Sequence, residues 1–274
     1  MRHIACIAVG LFLVSGLVHG QEPAVRTATP LSDAAIEQFL LKGKVVRKKT
    51  SKKGVTGAIQ ATLTLGTLTH DAQIQNVDVS QMVFEAGAHT ELNFKDTYRY
   101  NIGGYRLSRM LGMTNVPMSV KRRHDSKDAA FTWWIDDFMF DEQERLKQKQ
   151  IQGPTPERTS RQNAVRLVFD ELIQNKDRNQ GNLIWTTDWT LWLIDHTRAF
   201  RLGKDLMKPE QLTRCDRNLL QAMRGLTLDA MMKDMGDIMT KDELAAVIAR
   251  RDKLVKHFED RIATRGEAAV LFTM

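Results

Sequence analysis

Cysteine is nearly absent: the 274 residues hold two, Cys6 and Cys215. Only Cys215 lies beyond the first twenty residues, so a chain trimmed of that stretch can form neither an internal disulfide nor a cysteine metal cluster. His70, His89 and His124 lack ligand-like spacing, which argues against a histidine-held zinc. Prolines number six and glycines seventeen, and no tract of low complexity or internal repeat is present, so a disordered chain and a repeat array are both poor fits. Long apolar runs are missing too. The longest, from Ile4 to Val18, falls short of the ~20 residues that a membrane span prefers. It sits behind Arg2, the only formal charge in the first twenty residues, and ahead of small residues. That order predicts a secretory signal peptide over 1–20, with Val18 and Gly20 at positions −3 and −1 of a cut before Gln21. An uncleaved anchor is the competing reading. Cys6 lacks the small-residue context of a lipid-attachment site.

What is present is the composition of an ordinary folded protein, with 42% hydrophobic and 27% charged residues. The length suits one large domain or two lobes. The net charge is +7, and the basic residues concentrate in "KGKVVRKKTSKK" (42–53). Such a run is most simply a solvated face or hairpin; a sharper reading is attraction to phosphate groups. It carries no strong nucleic-acid signal.

Residues 21–31 read as a flexible segment. Ser32 is placed to cap a short helix through "DAAIEQFLL". "KVVRKK", "AIQATLTL" and "HDAQIQNVDV" have strand character and form an antiparallel meander, with Gly54 and Gly57 at one turn. A helix around 96–111 follows, with Tyr98, Ile102 and Tyr105 on one face. Gly103 and Gly104 inside it point to close approach by another backbone. "VPMSVKRR" and "AAFTWWIDDFMF" resume strand character. The charged, turn-rich stretch 141–160 is the expected boundary between lobes over 32–150 and 151–274. Beyond it, Val165, Val168, Phe169, Leu172 and Ile173 repeat at the helical period behind a Thr159/Gln162 capping-box signal. Thr240 and Glu243 form a second such signal, before a long helix reaching about Gly266.

The stretch that carries chemistry is "NKDRNQGNLIWTTDWTLWLIDHTRAF" (175–200). Two apolar runs flank "TTDWT", the length of a hairpin connection. A hairpin brings Asn182, before its first strand, beside Asp195, at the end of its second. A carboxylate beside an amide oxygen suits Mg²⁺ or Mn²⁺, which takes its other ligands from water and phosphate. Asp177, in the loop before, is placed to orient or deprotonate a hydroxyl. Taken singly, each of the three also reads as a turn or cap residue.

Asp-x₄-Asn followed by a strand-ending Asp is the arrangement of kinase-type phosphotransfer. "FDELIQNKDRNQGNLIW" with "LWLIDHTRAF" resembles the signature shared by phosphatidylinositol 3/4-kinase-like proteins, HipA-type kinases and the secreted Golgi casein-kinase family. These are atypical members of the protein-kinase-like superfamily, and the His-Arg-Asp and Asp-Phe-Gly of ordinary kinases are absent. The resemblance implies a two-lobed α+β fold with a strand-rich amino-terminal lobe and a helical carboxy-terminal one. It implies Asp177 as the catalytic aspartate, Asn182 and Asp195 as metal ligands, and ATP or another nucleoside triphosphate as co-substrate. The match is close over about 160–202 and only architectural over 40–140.

The resemblance also implies a helix Glu paired with a strand Lys, and here those positions fall on Asn101 and Gln75. The two amides can still hydrogen-bond, but they bring no positive charge to phosphates. Lys95 and the Lys52/Lys53 pair are the candidate replacements, with Gly54 and Gly57 in the place of a nucleotide-covering loop. Arg178 and Arg198 read as internal partners of the loop, either of which could face phosphate; Cys215 reads as inert. The expected function is that of an exported phosphotransferase, periplasmic or secreted, acting on a protein, lipid headgroup, sugar or small metabolite. The alternatives are a non-catalytic kinase-like binding protein and a nucleotidyl transferase.

Overall fold

The computed structural model describes residues 31–50, 58–86, 89–148 and 153–274. The expected signal peptide, the Gly54/Gly57 turn and Lys52/Lys53 lie outside the described residues. Helix α1 (Asp33–Lys42) starts where the Ser32 hydroxyl accepts the Ala35 N–H at 3.2 Å, the cap read from the sequence. The chain continues through β1 (Lys44–Thr50), β2 (Ile59–Leu65) and β3 (Leu68–Gln75), then a separate hairpin of β4 (Asp78–Ala86) and β5 (His89–Thr97). Helix α2 (Arg99–Met110), β6 (Ser119–His124) and β7 (Lys127–Trp133) complete the amino-terminal half. β1, β2, β3, β7 and β6 form one antiparallel sheet in that order.

Alternation decides which face of this sheet is covered. Ala61 and Leu63 of β2, with Ala72 and Ile74 of β3, point inward at period two and bury against Phe39 and Leu40 of α1. The basic run has its bland explanation: β1 is an edge strand whose Lys44, Arg47, Lys48 and Lys49 are exposed, and charge on an edge discourages pairing with a second chain. The β4–β5 hairpin was not foreseen.

The carboxy-terminal half opens with β8 (Phe138–Asp141), α3 (Glu142–Lys147) and α4 (Pro156–Ile173). The hairpin of β9 (Leu183–Thr186) and β10 (Leu191–Leu193) follows, and β8 pairs with β9, so the sheet order is β10-β9-β8. Next come β11 (Cys215–Asp216), α5 (Arg217–Gly225), α6 (Leu228–Met235), α7 (Lys241–Arg265), α8 (Glu267–Val270) and β12 (Leu271–Phe272). A second, larger core gathers Val168, Phe169, Leu172 and Ile173 of α4 against Met223, Met231, Val247, Leu254 and Phe258. Two separate cores, one under the sheet and one among helices, make the two lobes. No helix among the described residues is long and apolar enough to cross a membrane.

Two local expectations are corrected. α4 begins one turn before the Thr159/Gln162 signal, capped by Thr155 with Pro156 at its first position, where a missing N–H costs nothing. Gln162 instead clamps the β9–β10 hairpin: its amide donates to the Trp189 carbonyl at 3.0 Å, and its oxygen accepts the Leu191 N–H at 2.7 Å. The second correction concerns Gly103 and Gly104, which face side chains rather than backbone. A Cβ on Gly104 would meet the His196 ring at 3.0 Å, and one on Gly103 the Met239 sulfur at 3.1 Å. The Thr240/Glu243 capping box is present as read, with both reciprocal bonds formed.

Candidate functional site

The hairpin does what its spacing foretold. β9 and β10 pair in register from Trp185↔Leu191 to Leu183↔Leu193, and beyond them the Ile194 N–H donates to the Asn182 carbonyl at 3.1 Å. Asn182 and Asp195 therefore leave the hairpin at the same end. The Asn182 amide also donates to the Asp177 carbonyl at 3.4 Å, and the Asp177 N–H donates to Asn175 Oδ1 at 3.2 Å. These bonds shape the loop that carries Asp177, whose side chain is about half exposed, at 47%.

What stiffens the loop is a buried ion pair. Asp170, from the last turn of α4, accepts from Arg178 Nε at 3.0 Å, and the same guanidinium donates to the carbonyls of Ile194 (2.5 Å) and Asn182 (3.2 Å). One planar fork thus joins a helix, the loop and both hairpin strands. Arg178 is an internal scaffold, as expected; its partner Asp170 was not identified from sequence, because an acidic residue late in a helix has no distinguishing pattern.

Asp195 adopts a left-handed backbone, φ 52°, which costs an L-residue on the order of 1 kcal/mol. Burial raises its carboxyl above the ordinary value; Thr197, whose hydroxyl donates at 3.0 Å, opposes the shift, the charge of Asp96 adds to it, and Arg178 opposes it. The next residue, His196, is buried and kept neutral by desolvation. Its backbone N–H donates to Asn101 Oδ1 at 2.7 Å, while Asn101 Nδ2 donates to Gln75 Oε1 at 2.7 Å. The two amides at the expected Lys and Glu positions thus bond one another and fix the segment after Asp195. A narrow crevice lies here between the lobes, lined by Gln73, Asn101, Val116, Thr132, Asp195 and His196. Two roomier hollows, one of about 410 Å³ lined by Asp78, Arg99, Arg123 and Lys127 and one of about 460 Å³ lined by Glu37, Tyr105, Lys121 and Asp237, touch none of the three motif residues.

Of the cations singled out in the sequence, Arg198 rather than Lys95 stands beside Asp177. Lys95 is drawn to Glu243 at the start of α7, 2.5 Å away, where Tyr100 also donates at 2.6 Å; a phosphate would compete for that ammonium. Arg198, in contrast, stands 3.6 Å from Asp177 and 3.8 Å from Glu91, with its guanidinium over the Phe94 ring. Arg201 binds Glu91 at 2.9 Å on the same ring. The β4–β5 hairpin therefore supplies the wall facing Asp177. Cys215 is buried with its thiol pKa raised by burial, and fits the inert role expected of it.

The donor set of Asp195 and Asn182 is all hard oxygen and suits Mg²⁺ or Mn²⁺. Among the described residues no three His, Cys, Asp or Glu side chains gather into a metal cluster. A cation here would complete its shell with phosphate oxygens and water.

No family model matches the chain, and no curated protein matches it in sequence. Solved structures do. Hydra Fam20 with sugar is similar at 15% identity and TM-score 0.65, over 92% of this chain and 96% of that one. The Golgi casein kinase with Mn/ADP bound is similar at 14% and 0.66, over 88% of this chain and 79% of that one. The Helicobacter pylori proinflammatory kinase CtkA follows at 10% and 0.53, over 83% and 96%. At such identities the likeness is one of fold, and the fold shared with these structures is a two-lobed α+β architecture.

Proposed function

We propose that the chain is an exported phosphotransferase that binds a nucleoside triphosphate with Mg²⁺ or Mn²⁺ between its lobes and transfers the terminal phosphoryl group to a hydroxyl. The observation that carries this reading is the joint placement of Asn182 and Asp195 at one end of the hairpin, with Asp177 looped beside them. In this reading the lobes are residues 32–150 and 151–274. Asp195 and Asn182 hold the divalent ion, which when bound neutralises charge on the phosphates. Asp177 orients the acceptor hydroxyl and takes its proton as the new O–P bond forms and the bond to the bridging β–γ oxygen breaks, releasing the diphosphate. Arg178 and Asp170 keep these groups in place beforehand, so little reorganisation is left for the reaction itself. Arg198 is the cation best placed for the transferred group, since Gln75 cannot supply one. The crevice is narrower than the 300 Å³ or more typical of a ligand pocket, and admission of a nucleotide needs the lobes to part. The acceptor is a protein, lipid headgroup, sugar or metabolite, and the leader over 1–20 sends the chain to the secretory pathway or periplasm.

The Gln75–Asn101 pair favours a second reading, a kinase-like fold that binds without catalysis. Isothermal titration of the folded protein with ATP, with and without Mn²⁺, tests the binding that both readings require. Product analysis then separates chemistries: ADP marks phosphoryl transfer, AMP nucleotidyl transfer. Asp195→Ala should abolish metal-dependent binding, whereas Asp177→Ala should bind normally and lose turnover by roughly 10²-fold or more. A folded protein that binds no nucleotide sinks both readings, and binding without turnover leaves the second.

A further inference from the structure

Arg198 is held in place without a hydrogen bond to any described residue. It stands 3.6 Å from Asp177 and 3.8 Å from Glu91, both beyond hydrogen-bonding reach, and its Nε is buried with no acceptor among the described residues. A guanidinium presents a rigid fork of N–H donors, and leaving them unpaired where burial takes water away is costly. Charge and ring contact must therefore hold this side chain.

The β4–β5 hairpin supplies both. Phe94 of β5 is buried and braced by Phe84 of β4, with ring centroids 4.0 Å apart, and the Arg198 guanidinium carbon lies 4.8 Å from the Phe94 centroid. Glu91, on the same strand, attracts Arg198 through one oxygen while its other oxygen stands 2.9 Å from Arg201, which lies over the same ring and is only 7% exposed. Shared in this way, Glu91 does not draw Arg198 fully in. Asp177 pulls from the opposite direction, and among the described residues it has no second cationic partner. A ring face and two competing carboxylates fix the plane of the guanidinium and leave its N–H groups for an incoming oxyanion.

We propose that Glu91 is the positioning residue for the phosphate-binding guanidinium: it suspends Arg198 on Phe94, off Asp177, so that the terminal phosphoryl oxygens of the nucleotide meet unpaired donors. The proposal rests on the nucleotide reading above and adds to it a residue outside the motif. A carboxylate from the hairpin takes the orienting part that Asn101, an amide bonded to Gln75, does not. Without Glu91 the guanidinium moves onto Asp177, where it is lost to the phosphate.

The test is titration calorimetry of the full chain with Mn²⁺ and either a non-hydrolysable ATP analogue or ADP, since only the analogue carries the terminal phosphate. Wild type is expected to favour the analogue by roughly tenfold or more, the scale of charge-assisted hydrogen bonds. Glu91→Gln and Arg198→Gln should each lose that preference and keep the ADP affinity, which also shows that they fold. In the double variant Glu91→Gln/Asp177→Asn neither carboxylate is left to capture Arg198, so the preference should return, by more than Asp177→Asn alone adds to wild type. A merely structural Glu91 gives no such return. Preference kept in either single variant, no preference in wild type, or no recovery in the double variant overturns the proposal while the nucleotide reading survives. Loss of ADP affinity in Glu91→Gln marks Glu91 as structural and overturns it too. A wild type that binds neither nucleotide sinks the reading itself.

Discussion

Gly103 and Gly104 sit side by side on α2 and make different demands. The space beside Gly104 is filled by the His196 ring, 3.0 Å from where a Cβ would stand, and His196 cannot withdraw because Asn101 holds its backbone. Beside Gly103 the nearest atom is the sulfur of Met239, at the flexible end of its side chain. Helix propensity rewards Gly→Ala by about 1 kcal/mol at either position. Overpacking costs typically 1–3 kcal/mol where the neighbour is fixed. Gly103→Ala is therefore expected to be neutral or stabilising, and Gly104→Ala destabilising with a disturbed Asp195 loop. Urea unfolding midpoints of the two variants check this, and identical midpoints would count against the role given to His196.

At the scale of elements, the loop that carries Asp177 depends on α4 through a single carboxylate. Asp170→Asn leaves the Arg178 guanidinium buried without its charge partner, which in comparable buried pairs costs about 3–5 kcal/mol. The expected result is a lower melting temperature together with faster amide exchange at 177–182; exchange unchanged in that segment would show that the loop holds itself. α4, the hairpin and the capped start of α7 were legible in the sequence because each depends on near neighbours: apolar spacing, a five-residue connection, a Thr three residues before a Glu. The start of α4 was misplaced because Thr155-Pro156 and Thr159-x-x-Gln162 are competing local signals, and only the pull of the hairpin on Gln162 decides between them. The β4–β5 hairpin escaped notice because much of its surface, including Val79, Met82, Val83 and Leu92, is exposed, which blurs the polar and apolar alternation that marks a strand. Asp170 and Glu243 matter through partners distant in the chain or set by geometry, which spacing does not encode.

Across the whole molecule the lobes are tied through Glu243 to Lys95 and Tyr100, each more than 140 positions away from it. Burial alone would raise the Glu243 carboxyl, but hydrogen bonds from Lys95, Tyr100 and the Thr240 backbone outweigh it and hold the group below its ordinary 4.5. A carboxyl depressed by folding stabilises the fold above its unfolded pKa, and that contribution is lost as pH falls through the folded value. Glu243→Gln, which keeps an oxygen for the cap, should cost roughly 1–3 kcal/mol at pH 7. In strong acid, where the native carboxyl is itself protonated, variant and wild type should converge. Denaturant melts at both extremes decide it, since an equal gap at each would mean that charge is not what Glu243 contributes.

The same carboxylate closes the first turn of α7 and grips Lys95. An anion that recruits that ammonium leaves Oε1 to Tyr100 and changes how strongly Oε2 accepts the Thr240 N–H, and by thermodynamic reciprocity a change in that turn alters the anion's affinity by the same factor. Fraying at residue 240 and occupancy near residue 95 would then be two gauges on one balance, readable from either end.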